Sequence, residues 1–147
     1  MSDKIAQDPS YNLLFLAGKI TNSLANTFNR MFRQAGLEIT VEQFSILALL
    51  WYKEGMNQQE IANAINRDKT TITRVLENMF RKNLLVKATD QADRRSKRIF
   101  LTQKGKELQE KSLQMTSEIY MKAMENLEDK EAGIALKVLN TISANLG

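Results

Sequence analysis

Residues 57–102 read NQQEIANAINRDKTTITRVLENMFRKNLLVKATDQADRRSKRIFLT, and this stretch decides the fold. From Asp68 to Lys82, Ile72, Val75, Leu76, Met79 and Phe80 recur at i, i+3, i+4, i+7 and i+8, one apolar stripe at helical period. Lys69, Thr70, Thr71, Thr73, Arg74 and Glu77 fall off that stripe and face outward. The exposed face is therefore hydroxyl-rich and basic near its N-terminus. Taken alone it fits an ordinary amphipathic surface helix equally well. Its neighbours decide between the two readings.

Upstream, Asn57-Gln58-Gln59-Glu60 is a capping-box variant, an N-cap amide with a glutamate three residues on. It opens a helix of about two turns that buries Ile61, Ala62 and Ile65. Two helices joined by a few polar residues around Asn66 and Arg67 form a helix-turn-helix, whose second helix is built to enter a DNA major groove. Downstream, Leu84–Ala88 and Lys97–Leu101 read as two short strands around a polar tip. A hairpin in that position is a wing. Two adjacent arginines at its tip, Arg94 and Arg95, suit a narrow, electronegative minor groove better than they suit a merely solvated turn.

The charge is segregated in the same way. Lys69 to Lys106 holds eleven Lys/Arg against three Asp/Glu, a local +8, and the rest of the chain carries −4. Such a footprint calls for a polyanion. A membrane surface would instead require bulky apolar residues among the basic ones, and the wing tip has none.

An apolar content of 43% over 147 residues supplies one core, and no apolar run is long enough for a membrane span. Leu13 to Ala17 is too short for a signal core, so the cytoplasm is the expected location. With neither cysteine nor histidine, the chain has no thiolate chemistry and lacks the commonest general base and metal ligand. No Gly-rich phosphate loop follows a strand, and acidic pairs such as Glu128-Asp129 sit in solvated helix ends. The expectation is no enzyme, no catalytic residues, no metal and no cofactor.

The remaining elements are helical. Residues 1 to 8 are expected to fray, and Pro9-Ser10 starts a helix from Tyr11 to about Ala35 with Ser10 as N-cap and Gly36 as its left-handed cap. The apolar face of that helix runs from Leu13 to Ala35 and is wider than one small domain can cover, which points to a partner subunit. Thr40-Val41-Glu42-Gln43 opens a helix to about Lys53 that is apolar nearly all round. Trp51 and Tyr52 are assigned to its core packing. Asn83 takes the left-handed position after the groove-facing helix. Thr102 caps a helix from Gln103 to about Asn126, and a last helix runs from about Asp129 to Leu146.

The order of parts resembles the MarR family of winged-helix transcriptional regulators. The residues that carry the likeness are Thr40 with Gln43, Gln58 to Ala62, Thr71-Ile72-Thr73-Arg74, Asn83-Leu84-Leu85-Val86, Asp93-Arg94-Arg95 and Leu101-Thr102-Gln103-Lys104-Gly105. The resemblance implies a mainly α fold with a small β-hairpin wing. Residues 1–36 and 103–147 would form dimerisation helices around a winged helix-turn-helix at 37–102, in one intertwined domain. It further implies a homodimeric repressor on a pseudo-palindromic duplex, with half-sites about ten base pairs apart. A small, often aromatic anionic effector would sit between dimer helices and winged helix. The family usually has glycine where Asn83 stands, a position asparagine tolerates. Its peroxide-sensing and zinc-responsive members use Cys or His, which this chain lacks.

The residue roles that follow are specific. Thr70, Thr71, Thr73 and Arg74 meet base edges, and Lys69, Arg67, Arg81 and Lys82 meet or flank phosphates. Asp93, Arg94, Arg95, Lys97 and Arg98 form the wing's DNA contact, with Asp93 orienting a guanidinium through a bidentate pair or serving as a plain turn residue. The rival function is a winged-helix protein-interaction module that binds no DNA.

Overall fold

Helix starts and stops are where this chain's side chains act most locally, and the computed structural model, which describes residues 8–147, bears most of them out. The expected fraying of the first residues concerns positions that, up to residue 7, lie outside those described. Pro9–Tyr11 form a single 3-10 turn, and α1 spans Leu13–Gln34. Its N-cap is Asn12, whose side chain accepts from the amides of Leu14 and Phe15. Ser10, expected in that role, instead donates its amide and hydroxyl to Asp8 at 2.9 and 2.6 Å. The proline nucleates one turn, and the Asn12 amide then resets the start of the long helix two residues later. At the other end Gly36, at φ +69°, closes a Schellman motif: the Leu37 amide reaches the Phe32 carbonyl at 2.8 Å and the Gly36 amide that of Arg33 at 3.1 Å.

Helix α2 (Val41–Tyr52) carries the complete Thr40/Gln43 capping box, and α3 (Gln58–Ala64) the complete Asn57/Glu60 one. Ile46, Leu47 and Leu50 are fully buried, but Trp51 and Tyr52 are 43% and 93% exposed. Their assignment to the core is corrected: Leu50 is the last buried residue of α2, and the apolar run is longer than the face the fold covers. Helix α4 (Lys69–Arg81) starts at Asp68, whose carboxylate accepts from the amide and hydroxyl of Thr71. It buries Ile72, Leu76 and Met79, each burial contributing about 1.5–3 kcal/mol.

Two asparagines turn the chain on either side of α4. Asn66 (φ +50°) ends α3, with the Arg67 amide on the Ala62 carbonyl at 3.0 Å. Asn83 (φ +59°) ends α4, with the Leu84 amide on the Met79 carbonyl at 3.0 Å. That bond takes Leu84 out of the expected strand. The hairpin is β1 (Leu85–Thr89) antiparallel to β2 (Lys97–Leu101), paired Leu85 with Leu101, Lys87 with Ile99 and Thr89 with Lys97. Ile99 also pairs through its free edge with Met56, so the lead-in to α3 grips the base of the hairpin.

Thr102 caps α5 (Gln103–Ala123) by accepting the Gly105 amide at 3.0 Å, while its hydroxyl donates to the Asn83 carbonyl at 2.7 Å. Residues up to Leu113 form one compact unit. Its core joins a Phe28–Phe32–Phe44 cluster, with ring centroids 5.6–6.2 Å apart, to the aliphatic residues of α2, α3 and α4. The second unit, from Gln114, holds the end of α5, a left-handed Asn126 (φ +65°) and α6 (Asp129–Leu146). Helix α5 stops at Ala123, three residues before the expected end, because the chain reverses at Asn126. Among the described residues no helix is long and apolar enough to cross a membrane.

Candidate nucleic-acid interface

The outward face of α4 follows from its buried one. With Ile72, Leu76 and Met79 turned inward, Lys69, Thr70 and Arg74 stand exposed, and among the described residues none of their side chains is engaged by a hydrogen bond or ion pair. The other two threonines are already committed. The Thr71 hydroxyl donates to Asp68 at 2.6 Å, completing the cap. The Thr73 hydroxyl donates to the Lys69 carbonyl at 2.8 Å and accepts from the Gln58 amide of α3. Free polar reach on this face therefore belongs to Lys69, Thr70 and Arg74. Thr71 and Thr73 offer their methyl groups, the kind of contact that suits a thymine methyl. The two Thr71 bonds, hydroxyl first and amide second, hold the Asp68 carboxyl below the ordinary aspartate range.

The hairpin sorts its charges by position. Arg94 and Arg95 at the tip are exposed and free of acidic partners among the described residues. Asp93 does not pair with a guanidinium. Its carboxylate accepts the Arg95 amide at 3.0 Å and its carbonyl the Ser96 amide at 2.9 Å, so it is the turn residue of the tip. The wing's carboxylate–guanidinium pair is instead Asp90–Arg98, with Nε to Oδ2 at 2.7 Å. Arg98 also donates to the Gly55 carbonyl at 3.0 Å and lies 3.5 Å from Glu60 of α3. Its guanidinium is half-buried and ties hairpin to helix-turn-helix. Asp90 is held below the ordinary range by the Ala92 amide first and by Arg98 second. Lys97 donates to Thr89 across the ladder at 2.8 Å.

The expected phosphate contacts divide likewise. Arg81 is exposed without a partner among the described residues. Arg67, in the turn before α4, pairs with Glu42 at 3.2 Å. Lys82, about 20 Å along the helix from Lys69, reaches back to the Glu38 carbonyl. Sequence reasoning missed the bracing contacts of Asp90, Gln58 and Glu60 with Arg98 and Thr73. Asp90 left one signal, an acid at one root of the turn opposite a base at the other. Gln58 and Glu60 left none, because their partners are 15 and 38 residues away.

A capped helix pair, a reversal and a hairpin gripped at its base define a winged helix-turn-helix. Residues 39–97 match the family model described as MarR family. A relative from Methylorubrum extorquens, the HTH-type transcriptional regulator TtmR, is 35% identical over 59% of this chain and 46% of its own length. The organic hydroperoxide resistance transcriptional regulator of Bacillus subtilis is 30% identical over 63% of each chain. The matched segment thus spans about half to two thirds of the curated relatives' lengths. The Staphylococcus aureus MepR–DNA complex superposes with a TM-score of 0.83 at 24% identity, covering 99% of this chain and 100% of that one, a likeness of fold. Over residues 39–97 the chain is similar to the MarR family, and the fold it shares with MepR extends that likeness along the chain.

Proposed function

We propose that this protein is a DNA-binding transcriptional regulator, a repressor that works as a homodimer on a pseudo-palindromic operator. The observation that carries the reading is the exposed set Lys69, Thr70 and Arg74 on α4, unpartnered among the described residues, beside a hairpin tipped by Arg94 and Arg95. Arg74 is the base reader, Lys69 and Arg81 hold phosphates, and one of the tip arginines enters the minor groove. The B. subtilis regulator and MepR, by their names, act in transcription and bind DNA, which supports the same role here.

The dimer reading rests on apolar surface the chain leaves uncovered. Along α1, Leu14, Phe15 and Ile20 are exposed; along α6, Ile134, Leu136 and Leu146 are. Each face suits a second copy, whose symmetry would place two α4 helices about one DNA turn apart. For the effector, a cavity of about 330 Å³ between α1 and α2 has an apolar wall that includes Phe28 and Phe44, with the Arg67–Glu42 ion pair at its edge, a lining that suits a small aromatic ligand. A structure of CouR from Rhodococcus jostii, similar in fold (TM-score 0.82, 23% identity, 92% and 94% of the two chains), holds p-coumaroyl-CoA. With no cysteine in the chain, a thiol switch is not the signal.

The test is titration of the purified protein against the DNA upstream of its own reading frame, by gel shift. Binding is expected, with Arg74→Ala costing about 1–3 kcal/mol and relaxing sequence preference. Absence of duplex binding even in dilute buffer overturns the reading in favour of a protein-interaction module, and a monomer in sedimentation overturns the dimer.

A further inference from the structure

Between the start of α4 and the inner face of the hairpin lies a cleft of about 390 Å³. Lys69 borders it from α4, Gln58 from α3, and Lys87, Ser96, Lys97 and Ile99 from the hairpin. Among the described residues no carboxylate lines it. The strand register explains why Lys87 and Lys97 border the cleft from the hairpin, across from Lys69. Lys87 and Thr89 alternate with Val86 and Ala88 along β1, and Lys87 stands opposite Ile99 on the face whose root is Leu85 and Leu101, the buried side of the sheet. The inner face is thus apolar at its root and cationic toward the tip.

Lys87 is held in place there. Its ammonium lies 4.5 Å from the centroid of the Phe80 ring, on α4. That cation–π contact keeps the charge beside the helix without neutralising it.

We propose that this cleft seats one phosphodiester of the DNA backbone, and that Lys87 is a phosphate ligand alongside Lys69 and Lys97. The inference rests on the DNA-binding reading and adds a subsite to it. The argument is geometric. In duplex DNA a single sugar–phosphate strand separates a major groove from the adjacent minor groove. A protein that places a helix in one and a hairpin in the other must straddle that strand. The gap between α4 and the hairpin is where the strand passes, and it is lined by the charges a phosphate requires. The amide of Gln58 and the hydroxyl of Ser96 add neutral hydrogen-bonding groups at its wall.

The experiment measures affinity for two mixed-sequence duplexes as salt rises from about 50 to about 200 mM, for the parent, Lys87→Met, Lys87→Arg and Lys111→Met. Lys87→Met keeps an unbranched stem against Phe80 and removes only the charge. Its log–log salt slope is expected to be shallower by about 0.9, so the parent's loss of affinity over this range shrinks roughly 3.5-fold, equally on both duplexes. Lys87→Arg should retain the parent slope, and Lys111→Met, an exposed lysine of α5 outside the cleft, should too. Inorganic phosphate at matched ionic strength should compete no better than chloride, since the seat takes a phosphate presented by a duplex held in both grooves. A parent slope in Lys87→Met, or an equal loss of slope in Lys111→Met, overturns the subsite while leaving DNA binding intact. Competition specific to free phosphate overturns the duplex as the occupant. A parent that ignores both duplexes overturns the subsite together with the reading beneath it.

Discussion

Gly105 sits in the first turn of α5, and a methyl group there has nowhere to go. A Cβ at this position would lie 2.3 Å from the Leu84 carbonyl oxygen and 3.2 Å from its carbon. Relief requires a shift of roughly 1 Å, since ordinary contact begins near 3.4 Å. The carbonyl cannot yield freely. Leu84 is buried, its oxygen accepts the Thr102 amide at 3.0 Å, and its own amide closes the α4 terminus. Overpacking of this kind costs about 1–3 kcal/mol, and loosening the Thr102 bond adds about 1 kcal/mol. The intrinsic helix preference for alanine returns about 1 kcal/mol. Gly105→Ala should therefore destabilise the protein by roughly 1–3 kcal/mol, against propensity. Gly18, exposed in α1, has open space around it within one chain, so Gly18→Ala should stabilise the chain by about 0.5–1 kcal/mol unless the partner copy packs against it. Urea unfolding at one protein concentration separates the two, read as midpoints at constant m-value. A Gly105→Ala midpoint at or above the parent's would refute the close approach of α5 to Leu84.

Three further outcomes follow from geometry. Arg98→Met should lower duplex affinity for every sequence alike. It should also raise the Asp90 titration only part of the way to the ordinary range, since the Ala92 amide is the larger influence; full return in a carboxyl NMR titration would contradict that order. Asn83→Gly should stabilise by up to about 1 kcal/mol at a φ of +59°, whereas Asn83→Val should destabilise, both read from thermal melts. Because the native Asp68 carboxyl titrates below its unfolded value, its stabilising contribution is complete above the ordinary aspartate range and is lost as pH falls through the lowered native value. In Thr71→Val the larger cause is gone, the Asp68 titration should rise toward its unfolded value, and the acid-side loss should be smaller and complete at a higher pH; an unchanged titration would remove the hydroxyl from the cap.

What the amino-acid sequence makes legible is local. Caps such as Thr40 with Gln43 and Asn57 with Glu60 act over three residues, and the left-handed positions at Gly36 and Asn83 are set by one residue each, so these were legible. Periodicity placed Ile72, Leu76 and Met79 correctly for the same reason. Arg94, Arg95 and Arg98 look alike in a string of letters. Only the arrival of Gly55 and Glu60, about forty residues earlier, makes Arg98 a strut and leaves the tip pair free. The pattern turns Thr71 and Thr73 outward, as they are; that Asp68 and Gln58 engage them depends on rotamers it does not encode. Trp51 and Tyr52 were misplaced because apolar character says what can be buried, not where the neighbouring elements end.

The groove-facing helix is fastened at several points along its length. Gln58 holds Thr73 near its beginning, the buried Gln43 amide holds Asn78 at 2.7 Å near its end, and Lys82 just past it grips the Glu38 carbonyl. Such a rod cannot roll about its own axis to swap one set of side chains for another, because any rotation would break bonds to α2 and α3 together. Whatever signal this protein receives, each reading head travels as a rigid block. In the proposed dimer, occupancy of an operator would then be decided by the span between two heads, matched or mismatched to the pitch of the duplex.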